Sequence, residues 1–377
     1  MINDSLYLTT YDFKQAFDSL WLQDCLLSLR SLDVDKYILQ LIYELNKKAV
    51  IQIKTPYGLT HPTVANDLVK QGGILGSPMC SASTAQYCGV NKGVYIGTAM
   101  ISSLAFVDDM ADISRGCQDA INAHANAELF AKKKKLKYSA DKCKTMIIHK
   151  KVIDEDPELF IEGENVECAH SIKYLGDVFN SKGNNDDLIM DRIKRATSTM
   201  VSIDGFMREA SVGIYTISIY VLVYHAIFLP SVMFNSQSWT NVRTEDLAKL
   251  KMAQQRFLKK VVGENHAANS FLFLELGFLP ITYELHIRQL SYLYHIISLD
   301  ESDPVKQMWR NQHNISNHRN WWNGIKELMT RYSLKLTEEE IKAMSRETFK
   351  NKVKTAVKTW HFKNLSRNTD QKRRPKI

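Results

Sequence analysis

Two apolar runs in the first third of the chain end in acid, and this restricts the fold more than any other feature. LYLTTY (6–11) is followed by Asp12, and SSLAFV (102–107) by Asp108 and Asp109. Carboxylates beside buried strands cost free energy unless something positive compensates them. A hard divalent cation is the usual compensation, because Mg²⁺ takes few protein ligands and keeps phosphate or water as the others. Strands that deliver carboxylates to one point could thus hold two metals for an in-line phosphoryl transfer. A plain hairpin turn also uses Asp, so the acidic pair alone leaves both readings open.

The segments around these runs read as an α+β chain. LYLTTYDF (6–13) reads as a buried strand, followed by helical periodicity at about 18–31 and 34–47. VIQIKT and THPTVA around the turn sequence PYG read as a hairpin, and a Gly-rich loop at 72–78 leads into a short helix, CSASTAQYC. GVYIG, SSLAFV, KTMIIH and IKYLGDVF read as further strands, with a helix over about 118–136 that ends in Lys132 to Lys135. After Gly183 strand patterns give way to helical ones. The expected divisions are therefore 1–182 (α+β), 183–265 and 266–365 (both helical), and a basic, unstructured tail over 366–377.

A formal charge of +8 and a pI of about 9.0 make a polyanionic partner plausible, though many basic proteins never touch nucleic acid. Six scattered cysteines without a C-x-x-C pair exclude a zinc ribbon and a disulfide framework, and point to a reducing, intracellular compartment. No basic segment leads into an apolar one at the N-terminus, so no signal peptide is expected. Residues 212–234 carry no charge over nearly the length of a membrane span. Thr216, Ser218, Tyr220, Tyr224, His225 and Pro230 interrupt that run, so a buried helix is expected, without stable membrane association.

An ordered set of motifs sharpens this. YDFKQAFDSLW (11–21), VKQGG followed by SP (69–78), LAFVDD (104–109), LKYSADKCKTMII (136–148) and SIKYLGDVF (171–179) resemble, in this order, five palm motifs of the reverse transcriptases of non-LTR retrotransposons. LELGFLPI (274–281) and the helical stretch to about 365 more loosely resemble sequence that follows the thumb in these elements. The resemblance implies a right-hand polymerase palm, then a mostly helical thumb and a helical C-terminal extension. It implies an RNA-directed DNA polymerase that transfers a deoxynucleoside monophosphate to a primer 3′-hydroxyl, with RNA template, DNA primer and dNTP as partners. Two Mg²⁺ ions, or Mn²⁺, are the implied cofactors.

Residue by residue, the resemblance makes Asp12 and Asp108 the metal ligands, with Asp109 as the third, supporting member of the catalytic set. Successive side chains on extended backbone leave on opposite sides, so Asp109 is expected to turn away from the metals. Phe17 would exclude a ribose 2′-hydroxyl, or is a core Phe. Gln71 and Gly72 would line the nascent base pair, where glycine allows close backbone approach, or form a simple loop. Lys142 or Lys144 would neutralise the leaving pyrophosphate, or belongs to a solvated basic surface. Tyr174, Leu175 and Gly176 would form the primer grip, though a plain hairpin has the same composition. Arg192, Lys194 and Arg195 would track the backbone of a template–primer duplex, or form a charged helix face. QKRRPK near the C-terminus reads as a nuclear localisation signal or a basic tail, so a nuclear or cytoplasmic site is expected.

Four departures from the family pattern stand out. The chain starts eleven residues before Asp12, so the family's fingers segment is expected to be missing. Four residues separate Gln71-Gly72 from Ser77-Pro78, where the family usually has three. Leu68 replaces a common glycine two residues before Lys70. Asp112 interrupts the strand after the acidic pair, where relatives are mostly apolar. They leave open a non-catalytic nucleic-acid-binding remnant of such an enzyme as the alternative function. A membrane-associated helical protein is a third reading, resting on 212–234 alone.

Overall fold

The computed structural model describes residues 5–47, 49–65, 69, 73–149, 151, 156–209, 216–240, 242–262, 266, 273, 277–315 and 320–373. Contacts divide the chain into two units, Met1–Gly183 and Asn184–Ile377. The fold is α+β: among the described residues the strands lie in the first unit, and the second is helical.

The first unit opens with β1 (Leu6–Tyr11), α1 (Ala16–Ser19), α2 (Leu22–Ser31) and α3 (Lys36–Asn46). Short strands β2 (Ala49–Ile51), β3 (Lys54–Thr55), β4 (Gly58–Leu59) and β5 (Thr63–Ala65) follow, β2 pairing with β5 and β3 with β4 around the PYG turn. Next come α4 (Gly76–Ala85), β6 (Val94–Ile96), β7 (Ala99–Ile101), β8 (Ser103–Phe106), β9 (Asp109–Ser114) and α5 (Cys117–Lys134). The unit closes with β10 (Lys144–Ile148), β11 (Phe160–Ile161), β12 (Glu164–Asn165), β13 (Glu167–Cys168), β14 (Ser171–Tyr174) and β15 (Asp177–Asn180).

Five of these strands form one sheet in the order β13-β10-β1-β9-β8, with β1 between antiparallel β10 and β9. Registers Tyr7↔Ser114, Thr9↔Asp112 and Tyr11↔Met110 put these six residues on one face, since cross-strand partners share a side and neighbours alternate. Helix α5 covers that face. Its buried residues Ala120, Ala123, His124, Ala127 and Ala131 recur at helical spacing, and their small size lets the helix lie close to the strands. Tyr7 packs with Ala120 and Ile147, and the Tyr11 ring stacks on His124 with centroids 5.8 Å apart. A buried Tyr covers roughly 150–250 Å², so at about 25 cal/mol per Å² each contributes several kcal/mol before entropic costs. Helix α5 ends where Lys135 takes a left-handed φ of 57°, and Lys132, Lys133 and Lys134 in its last turn complement the helix dipole. The opposite face carries Thr10, Ala111, Leu104 and Phe106. The last two are exposed, at 43% and 62%.

The second unit contains α6 (Asp186–Glu209), α7 (Thr216–Val223), α8 (Leu229–Val232), α9 (Thr244–Val262), α10 (Ile281–Ser298), α11 (Pro304–His313), α12 (Trp321–Arg331), α13 (Glu338–Ala343) and α14 (Arg346–Arg373). A π turn, Tyr224–Phe228, links α7 to α8. Its Tyr224 and Phe228 are buried with Trp239, Phe257 and Leu258, so this part of the apolar 212–234 run serves the core. Gln254 fixes the cluster by donating to the Tyr224 hydroxyl (2.7 Å) and the Leu279 carbonyl (2.8 Å) while accepting from the Ile281 N–H (2.8 Å). Among the described residues no helix is long and apolar enough to cross a membrane. The tail differs from expectation: α14 continues the helix through residues 366–373 to Arg373.

Candidate active site

The acidic pair sits at the apex of the β8–β9 hairpin. Phe106 and Asp109 form the last cross-strand pair, which leaves a two-residue connection, Val107-Asp108. Val107 has φ of +60° and Asp108 does not share it, the φ pattern of a type II′ turn, which normally takes glycine first. A β-branched residue there is strained by on the order of 1–3 kcal/mol. Two contacts hold it. Val107 packs on the main core, and the Thr84 hydroxyl at the end of α4 donates to its carbonyl at 2.9 Å.

Asp12 follows Tyr11, the last residue of β1 to pair with β9, and Asp109 precedes its partner Met110. Since Tyr11 and Met110 face α5, alternation puts Asp12 and Asp109 on the face that α5 does not cover. Burial pushes the Asp109 carboxyl above the usual carboxylate range, and the charges of Asp108 and Asp12 push it further. Lys142 approaches from the loop before β10, its Nζ 3.3 Å from Asp12 Oδ1. The Tyr174 hydroxyl donates to the Asp109 carbonyl at 3.5 Å, which brings the β14–β15 hairpin to the apex. Burial, together with the Asp109 charge, raises its phenol to about 12.

The donor set suits a hard dication: three partly exposed carboxylates, two of which raise the proton affinity of the third. Among the described residues no group of three or more His, Cys, Asp or Glu side chains is arranged to hold a metal ion by itself.

Behind the apex, on the α5 face, the Asp112 carboxylate is almost completely buried at 2% exposure. Tyr87 donates to its Oδ2 at 2.6 Å, Ser103 to its Oδ1 at 2.7 Å and Asn91 to Oδ1 at 3.4 Å, and Tyr11 lies near enough to interact with it electrostatically. Tyr11 in turn meets His124 Nδ1 at 3.3 Å. Burial raises the Asp112 carboxyl to about 6, despite the surrounding donors that favour the ion.

The other expected site residues separate. Phe17 is partly buried in α1 against the main core. Leu175 and Gly176 make the two-residue turn of the β14–β15 hairpin with φ of 47° and 84°, the type I′ pattern. Gln71 and Gly72 lie outside the described residues, as do Leu68 and Lys70. Lys144 points elsewhere, pairing with Glu167 at 2.8 Å on the neighbouring strand, which leaves Lys142 beside the carboxylates. Arg192 also departs from expectation. Its side chain is 0% exposed, 3.4 Å from Asp191 and stacked at 5.3 Å over the Phe234 ring, so it cannot track a nucleic-acid backbone. Arg195 bonds Asp191 at 2.6 Å, while Lys194 is exposed. The Asp109 carboxyl is close enough to Asp108 and Asp12 for both charges to act on it. Asp108 belongs to the turn, and regular strand geometry starts at Asp109, on the side of Asp12.

The Asp112 shell has no counterpart among the sequence motifs. Tyr87, Asn91, Ser103 and Tyr11 carry no motif for it, and the only available signal is an acid in an otherwise apolar strand.

Residues 2–179 match the family model described as reverse transcriptase (RNA-dependent DNA polymerase), which covers nearly all of the first unit. No curated protein sequence matches the chain. Among solved structures it is similar to apo telomerase from Candida tropicalis, with 13% identity, a TM-score of 0.37, and coverage of 94% of this chain and 53% of that one. The same telomerase in complex with a TWJ fragment of telomeric RNA gives 13%, 0.38, 94% and 49%. Telomerase from Candida albicans in complex with a TWJ fragment of telomeric RNA gives 13%, 0.35, 90% and 50%. The chain spans about half the length of these telomerases.

Proposed function

We propose that the chain is an RNA-directed DNA polymerase of the non-LTR retrotransposon type, with a palm in the first unit and a helical thumb and extension in the second. One observation carries the reading. Asp109 opens β9 and Asp12 directly follows the paired strand β1, near enough for the Asp12 charge to act on Asp109, with Asp108 between them and the apex of the hairpin, inside a segment that matches the reverse transcriptase family. Divalent cations at these carboxylates, two Mg²⁺ or Mn²⁺ ions, would supply charge neutralisation for the primer 3′-hydroxyl and the triphosphate. The chain's own residues divide the remaining work. Asp12, Asp108 and Asp109 hold negative charge where phosphate must be bridged. Lys142, beside Asp12, offers a mobile cation to the departing pyrophosphate. The Leu175-Gly176 turn, tied to the apex through Tyr174, bears on the primer strand. Phe17 limits space at the sugar. RNA template, DNA primer and dNTP are the corresponding partners.

Extension of oligo(dT) on poly(rA) with dTTP and Mg²⁺ or Mn²⁺ tests this. Incorporation that is lost in Asp12→Asn and Asp109→Asn supports the reading; incorporation unchanged in both removes it. A second reading, nucleic-acid binding without synthesis, is favoured by the Lys142–Asp12 pair, which occupies a carboxylate the metals would need. Salt-sensitive binding of the RNA–DNA duplex with no incorporation at any Mn²⁺ concentration would select it.

A further inference from the structure

Asp112 is the acid that neither the motif pattern nor the proposed chemistry uses. It lies on β9, three residues beyond Asp109. That odd separation puts the two carboxylates on opposite faces of one strand, Asp109 on the face away from α5 and Asp112 under α5. Its register partners are Thr9 on β1 and Ser103 on β8. The groups that grip it come from separate places: Ser103 from β8, and Tyr87 and Asn91 from the segment after α4, while Tyr11 at the end of β1, next to Asp12, lies beside it. Three residues before Tyr87, Thr84 holds the carbonyl of Val107 at the hairpin apex. One buried carboxylate is therefore bonded to the flanking strand β8 and to the segment that anchors the strained turn, and it lies beside Tyr11 of β1.

We propose that Asp112 is a positioning residue. Held by Tyr87 and Ser103 on the covered face, it locks β9 in register with β8, and thereby sets the placement of Asp108 and Asp109 relative to Asp12 on the other face. This deepens the active-site reading above and rests on it. An apolar side chain at 112 would fill the same space, but dispersion is non-directional and tolerates small slides of one strand along the next. Short hydrogen bonds to an ion, at 2.6 and 2.7 Å, are lost over a fraction of an ångström. Burial of the carboxylate costs stability at neutral pH, as its raised pKa shows. Removal of the charge should therefore leave the fold intact while loosening the site.

The test uses the full chain and Mn²⁺ alone as the probe, with binding read by water proton relaxation and folding by the thermal unfolding midpoint. Asp109→Asn serves as the control for the site. Asp112→Asn is expected to weaken Mn²⁺ binding about tenfold, the size seen when groups that orient metal ligands are removed, with an unfolding midpoint no lower than the native one. Tyr87→Phe keeps the Asp112 charge and the Ser103 bond but removes one donor, and is expected to weaken binding about threefold. This variant separates positioning from simple loss of negative charge, and it decides the matter if Asp112→Asn does not fold. If Asp109→Asn weakens Mn²⁺ binding while Asp112→Asn and Tyr87→Phe stay within twofold of the native chain, Asp112 is only a core residue and the proposal is overturned. If Asp109→Asn itself has no effect, Mn²⁺ does not bind at these carboxylates. The active-site reading then falls, and this proposal with it.

Discussion

Replacing Asp112 by Asn should change how the stability of the first unit depends on pH. The carboxyl stands at about 6 in the fold against 3.8 as its ordinary value. For a group whose folded pKa is raised, the folded state binds the proton more tightly than the unfolded one. Its contribution is therefore fully present below pH 3.8, and is lost as pH rises through 6. The full span is about 3 kcal/mol, at 1.36 kcal/mol per pKa unit. Between pH 7.5 and pH 5 the linkage relation gives roughly 1.4 kcal/mol of added stability from this one group. Tyr11, Tyr87 and Tyr138, which act on it electrostatically, have phenols pushed well up by burial, and the nearby Cys88 thiol is raised too, so all four stay neutral over this range. His124 touches the cluster only through Tyr11. Asparagine fits the site because Tyr87 can donate to the Ala123 carbonyl, 3.0 Å away, and accept from the new amide. Urea unfolding of native chain and Asp112→Asn, read by hydrogen exchange in peptides covering β1 and β9, would report on this unit alone. The stability difference between the two proteins should shift by about 1.4 kcal/mol between the two pH values, with the variant relatively more stable at pH 7.5. Parallel pH curves would show that Asp112 titrates alike in both states, and would refute the argument from burial.

Other outcomes follow from the same geometry. Asp12→Asn and Asp109→Asn should each lower kcat/KM for single-nucleotide incorporation by about 10²–10³, with Asp108→Asn costing no more than Asp109→Asn; a much larger loss at Asp108 would contradict the register assignment. Arg192→Ala should destabilise the second unit by roughly 2 kcal/mol or more without altering the salt dependence of duplex binding. Lys194→Ala should leave stability unchanged and reduce the slope of log K against log salt by about one; a salt titration of both variants checks the contrast. Lys142→Ala should tighten Mn²⁺ binding by releasing Asp12 and raise KM for dTTP, measured by relaxation and by steady-state extension.

What is legible in the sequence follows from local pattern. Apolar runs that end in acid locate β1, the β8–β9 hairpin and the carboxylates, because burial and charge alternate over a few residues. The loss of strand signals after Gly183 coincides with the division between the compact units. DRIKR looks like a single charged cluster, which is why Arg192 is expected at the surface. Helical spacing instead puts Arg192 in one stripe with Leu188, Ile189 and Ala196, all buried, a signal present in the sequence itself. The Asp112 shell is out of reach of such patterns. Its donors come from residues 87, 91 and 103, and only the tertiary fold brings them together.

The opposed carboxylates of β9 also bear on how this sheet can misassemble. If β9 slipped by one residue against β1 and β8, every side chain would change face: Asp109 would enter the apolar layer beneath α5 without donors placed for it, and Met110 would surface. A slip of two residues would restore the faces but carry Asp112 past Ser103, leaving a buried ion with an incomplete shell. Both misaligned hairpins are thus disfavoured by an unsatisfied charge, a penalty that an all-apolar β9 would lack. The native register is the one of these three alignments that buries an acid together with a full set of donors.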